Sequence, residues 1–314
     1  MKKQFVSDMV DGDVVNDYFV ATRKDLRDTQ SGGKFLGMVF KDKTGDIGGV
    51  MWNNAPTAAS QFDLGDVVNV RGTVHTYQNR LQVRVDQVLP LKDGEYDQGD
   101  LVFTPGDTSD VSDKFGSILD TIEDKWLKQL VDAFRNDDEF MKKFLGCAAG
   151  KKWHHAFRGG LIQHCWEMAR LAETMCELFP AINKDLLLTG VFIHDMGKIE
   201  ELSQGMYIDY TTSGKLVGHL EQGCAMANRK MDTIEGFPQP LRDQIIHLIL
   251  SHHGEMIQGS PVVPKTLEAI VLAHIDNLDA QTDAYSGVIN NLKTKNQEWS
   301  EFIPMIDRQI WAGE

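Results

Sequence analysis

The chain has 314 residues, enough for one large or two ordinary domains, and at 42% hydrophobic content it can fill sizeable cores. Its formal net charge of −14 argues against a broad basic nucleic-acid footprint. No run of about 18 apolar residues occurs, and the start, MKKQFVSDMVDGD, is charged too soon for a signal peptide, so neither a membrane span nor secretion is expected. Cys147, Cys165, Cys176 and Cys224 form no C-x-x-C pair and read as reduced, mostly buried thiols of a cytoplasmic protein. The charge is uneven. Residues 1–92 hold 12 Lys+Arg against 11 Asp+Glu, so nearly all of the acidic excess falls in the rest of the chain. A nucleic-acid substrate would need a local channel there, with cations neutralising phosphates at its end.

Residues 14–91 read as short strands. Tyr18–Thr22, Phe35–Phe40, Ile47–Trp52, Asp66–Thr76 and the alternating Leu81, Val83 and Val85 are separated by polar turns at 42–46 and at Gln78-Asn79, with a short helix expected between Asn54 and Phe62. Five short strands suggest a small closed barrel, and their order resembles the OB-fold, which often binds single strands. Phe35, Phe40, Trp52, Tyr77, Arg71, Arg80 and Arg84 are the candidate contacts, because such barrels stack bases on aromatics beside Arg or Lys. Phe40 and Trp52 also suit the interior of a barrel. Residues 93–113 contain seven acids, no Lys or Arg, and Gly94, Gly99, Pro105 and Gly106. They read as an interdomain linker.

From Ser112 the apolar period becomes helical, through Ile118, Leu119, Ile122, Trp126, Leu127, Leu130, Val131 and Phe134, then Phe140 to Leu145. Further helices are expected from Gly159-Gly160 to Phe179, from an Asn183 cap through Lys198, from Ser213 to Ile234, from Pro240 to just before Gly254, and from Pro264 to about Ile289. The C-terminal Trp299, Phe302, Ile306, Ile310 and Trp311 read as helix-packing or subunit contacts, the latter in a homo-oligomer.

The chemistry is concentrated in these helices. His194 and Asp195 are adjacent, His164 lies 30 residues upstream, and His219, His252-His253 and Asp276 follow. Imidazole with carboxylate suits a transition metal such as Mn, Fe, Co or Zn better than an all-oxygen cage does. His164 alone, among Leu161, Met168, Leu171 and Met175, would read as a core residue; beside a His-Asp pair it reads as a ligand. Asp276 has a rival in Asp279, on nearly the same helix face. His247 reads as structural, and His274 points to another face than Asp276. Lys198, one turn beyond His194, suits a phosphate oxygen, or else the end of a helix. Lys151, Lys152, His154, His155 and Arg158 form the one dense basic cluster of the acidic half, next to the first ligand helix, and are taken as the substrate entrance.

The order His…His-Asp…His…His-His…Asp resembles the HD-domain phosphohydrolases with two metals. More narrowly, the words KKWHHAFRGGLIQHC, IHDMGK, SHHGE and GSPVVPKTLEAIVLAHIDNLDA, behind a barrel-like region, resemble the YhaM family of 3′-to-5′ exoribonucleases over nearly the whole chain. The resemblance implies an OB-like barrel in 1–92, an acidic linker in 93–113 and an all-α HD domain in 114–314. It implies that Asp195 bridges two ions and that His164, His194 and Asp276 complete the first site, which selects Asp276 over Asp279. A one-metal centre needs only those four residues; His219 and His252 or His253 favour two, with manganese foremost. Which of the two adjacent histidines ligates is left open; His252 is preferred, with His253 beside it as a phosphate or supporting contact. Two cations about 3.5–4 Å apart can activate water for in-line attack on a phosphodiester. The implied activity is stepwise hydrolysis of single-stranded RNA, and of single-stranded DNA as well, to nucleoside 5′-monophosphates; polarity and RNA preference come from the resemblance alone. The rivals are an HD phosphohydrolase acting on a nucleotide or cyclic dinucleotide, and a non-catalytic nucleic-acid-binding adaptor.

Overall fold

A computed structural model describes residues 2–29, 32–102, 108–151 and 153–313. The chain divides into two compact units: one spans 1–105 with 204–208, the other 106–203 with 209–314.

The first unit is a closed five-stranded barrel of β1 (Val14–Asp28), β2 (Lys34–Asp42), β3 (Gly45–Met51), β4 (Val67–Tyr77) and β5 (Arg80–Pro90), in the order β1-β2-β3-β5-β4. All pairings are antiparallel except β3 with β5. The alternation explains the closure. Val68, Val70 and Val74 of β4 and Val83, Val85 and Val88 of β5 are buried, while Arg71, Arg80 and Arg84 lie outside. Gln78 and Asn79 both take positive φ (49° and 61°), the backbone that a two-residue hairpin requires. The short helix α1 (Ala55–Ala59) falls between β3 and β4 as expected. Phe40 is fully buried, and a Cβ on Gly49 would come within 2.5 Å of its ring, so Phe40 fills the barrel and offers nothing to a ligand.

The expected linker is in part folded. Leu101 is buried with Tyr18, Val20 and Val67, and Leu91, Tyr96 and Val102 pack against them. Asp100 accepts from the Tyr18 hydroxyl at 2.7 Å. The acids of this stretch hid the apolar side chains between them. Residues 103–107, with Asp107, lie outside the described residues.

The second unit is helical: α2 (Thr108–Leu119), α3 (Lys125–Arg135), α4 (Asp138–Gly146), α5 (Gly160–Leu178), α6 (Lys184–Ile193), α7 (Lys198–Glu201), α8 (Thr212–Leu216), α9 (His219–Asp232), α10 (Gln239–Ser251) and α11 (Leu267–Thr294). Phe115, Phe134, Phe144 and Phe192 centre one core shared by most of these helices. The caps follow the sequence: Asp124 accepts from Trp126 and Leu127 amides, Asn183 from Leu186, and Thr266 from Ala269. Three boundaries differ from expectation. The helix begun at Asn183 stops at Ile193, so His194 to Gly197 form a turn. The stretch 213–234 is broken at Gly218 (φ 80°). The last helix starts at the Thr266 cap, not at Pro264. Residues 299–311 form no helix; Trp299 bridges to Trp311 and Ile310 is buried, while Trp299, Phe302 and Trp311 are more than half exposed. The four cysteines are free thiols, and no described helix is long and apolar enough to cross a membrane.

Asp137 caps α4 through the Phe140 amide (3.0 Å) and pairs with Lys230 (2.7 Å). The Lys230 ammonium, with that amide, holds its carboxyl below the usual carboxylate value. Asp137→Ala should lower stability by about 1 kcal/mol at neutral pH. Because the folded pKa is depressed, the contribution is present above the unfolded value near ~3.9 and is lost as pH falls through the folded one. Denaturant midpoints of wild type and variant, measured from pH 7 downward, should converge in acid; a constant gap would refute the assignment.

Candidate metal centre

Five chain segments bring imidazoles and carboxylates to one place. His164 is on the buried face of α5, beside Leu161, Cys165 and Met168. His194 and Asp195 occupy the turn after α6, His219 opens α9, His252 and His253 follow α10, and Asp276 is on α11. His164 Nε2 lies 3.2 Å from Asp276 Oδ1 and 3.3 Å from His194 Nε2. Asp195 Oδ2 faces these two imidazoles, at 3.4 Å from His194 Nε2 and 3.9 Å from His164 Nε2. The other oxygen, Oδ1, faces a second group: His252 Nε2 at 3.4 Å and His219 Nε2 at 3.6 Å. His253 Nε2 is 3.3 Å from His219 Nε2. His164, His194 and Asp276 can thus hold one ion, and His219, His252 and His253 another, with one Asp195 oxygen toward each.

The chemistry of these donors fits cations. His194 Nδ1 is 2.9 Å from the Val191 carbonyl and His252 Nδ1 is 2.8 Å from the Ile249 carbonyl. Each Nδ1 therefore carries the proton, and each Nε2 presents a lone pair to the centre. Asp195 Oδ1 and His252 Nε2 are buried without a hydrogen-bond partner among the described residues. Converging lone pairs without donors are costly unless a cation or protons join them. Burial pulls His164 down, but Asp276 and Asp279 raise it to about 9. In the other half, burial and then His252 push His253 down to about 3.

Carboxylates behind the imidazoles set their orientation. Asp279 Oδ2 lies 2.6 Å from His164 Nδ1 and 2.9 Å from His155 Nε2. Glu201 Oε1 accepts from the His219 backbone amide (3.1 Å) and lies 3.0 Å from its Nδ1. Asp279 is thus not a rival of Asp276: the two hold opposite nitrogens of His164. That division is not readable from sequence, although their spacing of three placed both on one helix face. Glu201 carried no sequence signal, since its partner is 18 residues away.

Lys198 is buried and its ammonium contacts Asp195 Oδ2, so it is part of the centre and not a solvated helix-end cation. Burial opposes its charge, but Asp195, Asp276 and Glu201 raise its pKa above the ordinary lysine value. The residues expected at the entrance differ in their surroundings. His155 is buried with Asp279 and Glu167 around its Nε2, and its amide donates to Asp283 (2.7 Å). Its positive φ of 41° turns it inward, which residue type did not reveal. Lys151 pairs with Asp209, Arg158 is exposed, and Lys152 lies outside the described residues. His154 keeps a place beside the centre, with its ring centroid 5.4 Å from that of His164; burial, with Lys198 and His164 nearby, pushes its pKa down to about 3, so it is neutral. His247 accepts from the Lys265 amide (2.9 Å), and His274 is exposed away from the centre.

On the barrel, Phe35 and Trp52 stack with centroids 4.9 Å apart and planes at 30°, and Trp52 is 55% exposed. Registers Gly37↔Val50 and Val50↔Arg84 place Arg84 on the outward row that leads to this pair. Tyr77 and Arg80 flank the β4–β5 turn, and Arg71 lines a groove of about 830 Å³ with Asn16, Thr73 and Gln87. The candidates therefore divide between an aromatic–Arg84 face, the hairpin and the groove.

Residues 161–281 match the family model of the HD domain, and residues 20–91 match that of an OB-fold nucleic acid binding domain. The chain thus carries a segment that matches an OB-fold nucleic acid binding domain, followed by one that matches an HD domain. Among solved structures, the p204 HINb domain is 14% identical with a TM-score of 0.25, covering 28% of this chain, which spans about half (47%) of that one. The second OB-fold domain of replication protein A from Methanococcus maripaludis is 24% identical over 31% of this chain and 100% of its own, with a TM-score of 0.23. The HD domain of the L. monocytogenes phosphodiesterase PgpH is 19% identical over 51% of this chain and 87% of its own, with a TM-score of 0.30.

Gly197 lets α9 approach the His194–Asp195 turn: a Cβ there would lie 2.0 Å from the His219 carbonyl oxygen and 2.8 Å from the Gly223 nitrogen. Gly197→Ala should therefore cost on the order of 1–3 kcal/mol of stability and displace His219. Elemental analysis should show less bound metal than in wild type, alongside a lowered denaturation midpoint. Wild-type values of both would mean that this contact does not set the position of α9.

Proposed function

We propose that this protein is a metal-dependent 3′-to-5′ exoribonuclease, which grips single-stranded RNA with its barrel and releases nucleoside 5′-monophosphates at the centre around Asp195. The observation that carries the hydrolytic part is the Asp195 carboxylate, with one oxygen toward His164 and His194 and the other toward His219 and His252. In this reading His164, His194 and Asp276 hold one divalent ion and His219, His252 and His253 the other, with manganese the expected metal and Asp195 shared. Such ions lower the pKa of water and neutralise phosphate charge. The protein's own groups do the positioning. Asp279 and Glu201 hold His164 and His219 with Nε2 inward. Lys198 carries the cation that offsets Asp195 and can meet a non-bridging phosphate oxygen. The Phe35–Trp52 pair, with Trp52 exposed and Arg84 on the same outward row, supports a single-strand grip, because stacking on aromatics accepts every base. Direction and the preference for RNA rest on the resemblance of the segments around His164, Asp195, His253 and Asp276 to the YhaM family.

A 5′-labelled RNA should shorten from its 3′ end in a ladder, stop on addition of a chelator and resume with excess Mn²⁺. Asp195→Ala should abolish the ladder while the protein stays folded. Immediate release of labelled mononucleotide would reverse the polarity. Cleavage of a cyclic dinucleotide with none of RNA would replace the substrate class, and binding without any cleavage would leave an adaptor.

Phe35→Ala/Trp52→Ala in the full chain should raise KM for long RNA about 10- to 100-fold, from lost stacking at about 1–3 kcal/mol per base. Hydrolysis of bis-p-nitrophenyl phosphate should be unchanged, and Arg84→Ala should flatten the salt dependence of RNA binding. An unaltered KM in the double variant would remove the barrel from substrate binding.

A further inference from the structure

His154 and His155 are adjacent, and the fold uses them in opposite ways. The segment between α4 and α5 is closed by the Ala149 amide to the His155 carbonyl (3.2 Å) and by the Leu161 amide to the Cys147 carbonyl (3.0 Å). Gly160 allows this closure, since a Cβ on it would fall 1.9 Å from the His155 carbonyl oxygen. His155 turns inward to carboxylates. His154 lies against Gly150, where an added Cβ would be 3.7 Å from both Cε1 and Nδ1 of the ring. Both ring nitrogens of His154 are buried, and neither has a hydrogen-bond partner among the described residues.

A neutral imidazole has one N–H donor and one acceptor nitrogen. Burying both unpaired is costly for folding, so the arrangement calls for a ligand. The surroundings limit what that ligand is. The His154 ring is 5.4 Å from the His164 ring, and His164 Nε2 faces Asp276, Asp195 and His194. A group held at that half of the centre lies beside His154. Metal ions there, with the Lys198 ammonium, attract an anion, and a phosphoryl group offers only acceptors to a neighbouring N–H.

We propose that His154 is a substrate-contacting catalytic residue, whose ring donates an N–H to a non-bridging oxygen of the phosphoryl group held at the His164–His194–Asp276 half of the centre. The proposal rests on the phosphodiesterase reading above and adds a contact to it. In this role His154 binds no metal, and its N–H adds a donor beside His164.

The test uses the full chain with its metals. His154→Phe keeps the ring shape without a donor, and His154→Gln restores an amide N–H. Two quantities are read besides metal content: turnover of bis-p-nitrophenyl phosphate and the dissociation constant of inorganic phosphate. His154→Phe should lower kcat about 100-fold and weaken phosphate binding about 10-fold, with metal content and melting temperature not reduced. His154→Gln should recover at least 10-fold of the lost kcat. Wild-type turnover and phosphate affinity in His154→Phe would overturn the proposal. So would loss of one metal ion, which would make His154 a support of the ligand set. If the wild type cleaves no phosphodiester, the phosphodiesterase reading fails by itself, and phosphate affinity alone decides on His154.

Discussion

The helical unit depends on a carboxylate with almost no solvent, that of Asp195. An isolated carboxylate at this depth is expensive, and it stays ionised only where positive charge or donors surround it. Among the described residues Lys198 provides the fixed cation in contact with it, and four imidazoles bring nitrogens within 3.4–3.9 Å. This constraint sets the geometry around it. The turn at His194–Gly197 must end α6 early so that Asp195 and Lys198 share one spot, and α9 must begin against that turn, where Gly197 has no side chain to keep it away. Truncating Lys198 would leave the carboxylate short of charge, so structure and chemistry are not separable at this position.

Around the carboxylate, orientation is set from behind. Backbone carbonyls take the outer nitrogen of His194 and His252, and carboxylates take that of His164 and His219. Each half of the centre thus contains one ring fixed by a neutral acceptor and one fixed by a charged acceptor. An imidazole backed by a carboxylate is the more basic donor, so the ions would meet one strong and one weaker nitrogen on each side of Asp195.

Sequence carried the ligand set because the chemistry is written in residue type. His and Asp in this order have few other uses together, and His164, His194, Asp195, His219, His252, His253 and Asp276 lie together in the fold. The barrel was legible for a different reason: period-two alternation and the Gln78-Asn79 turn are local. What escaped was set by backbone conformation or by distant partners. His155 and His154 are the same residue type in one basic run, and only a left-handed φ at His155 separates a buried support from a ring beside the centre. Glu201 was hidden among many acids. The acidic stretch after β5 concealed Leu101, because composition averages over a segment while burial is decided side chain by side chain.

The same point resolves the charge of the protein. A net −14 predicts poor affinity for a polyanion, yet net charge is not what a phosphate meets. Asp195 is spent on Lys198, Asp276 and Asp279 on His164, and Asp209 on Lys151, all within ion-pair distance. Exposed acids such as Asp110, Glu139 and Asp63 already have lysine neighbours. Charges on the surface are screened over about 8 Å at physiological ionic strength, whereas a group inside the centre feels its neighbours with little screening. A phosphoryl group at Asp195 would therefore respond to Lys198, to the ions the imidazoles can hold and to the N–H of His154, and the acidic surface beyond would act mainly on the rate of approach.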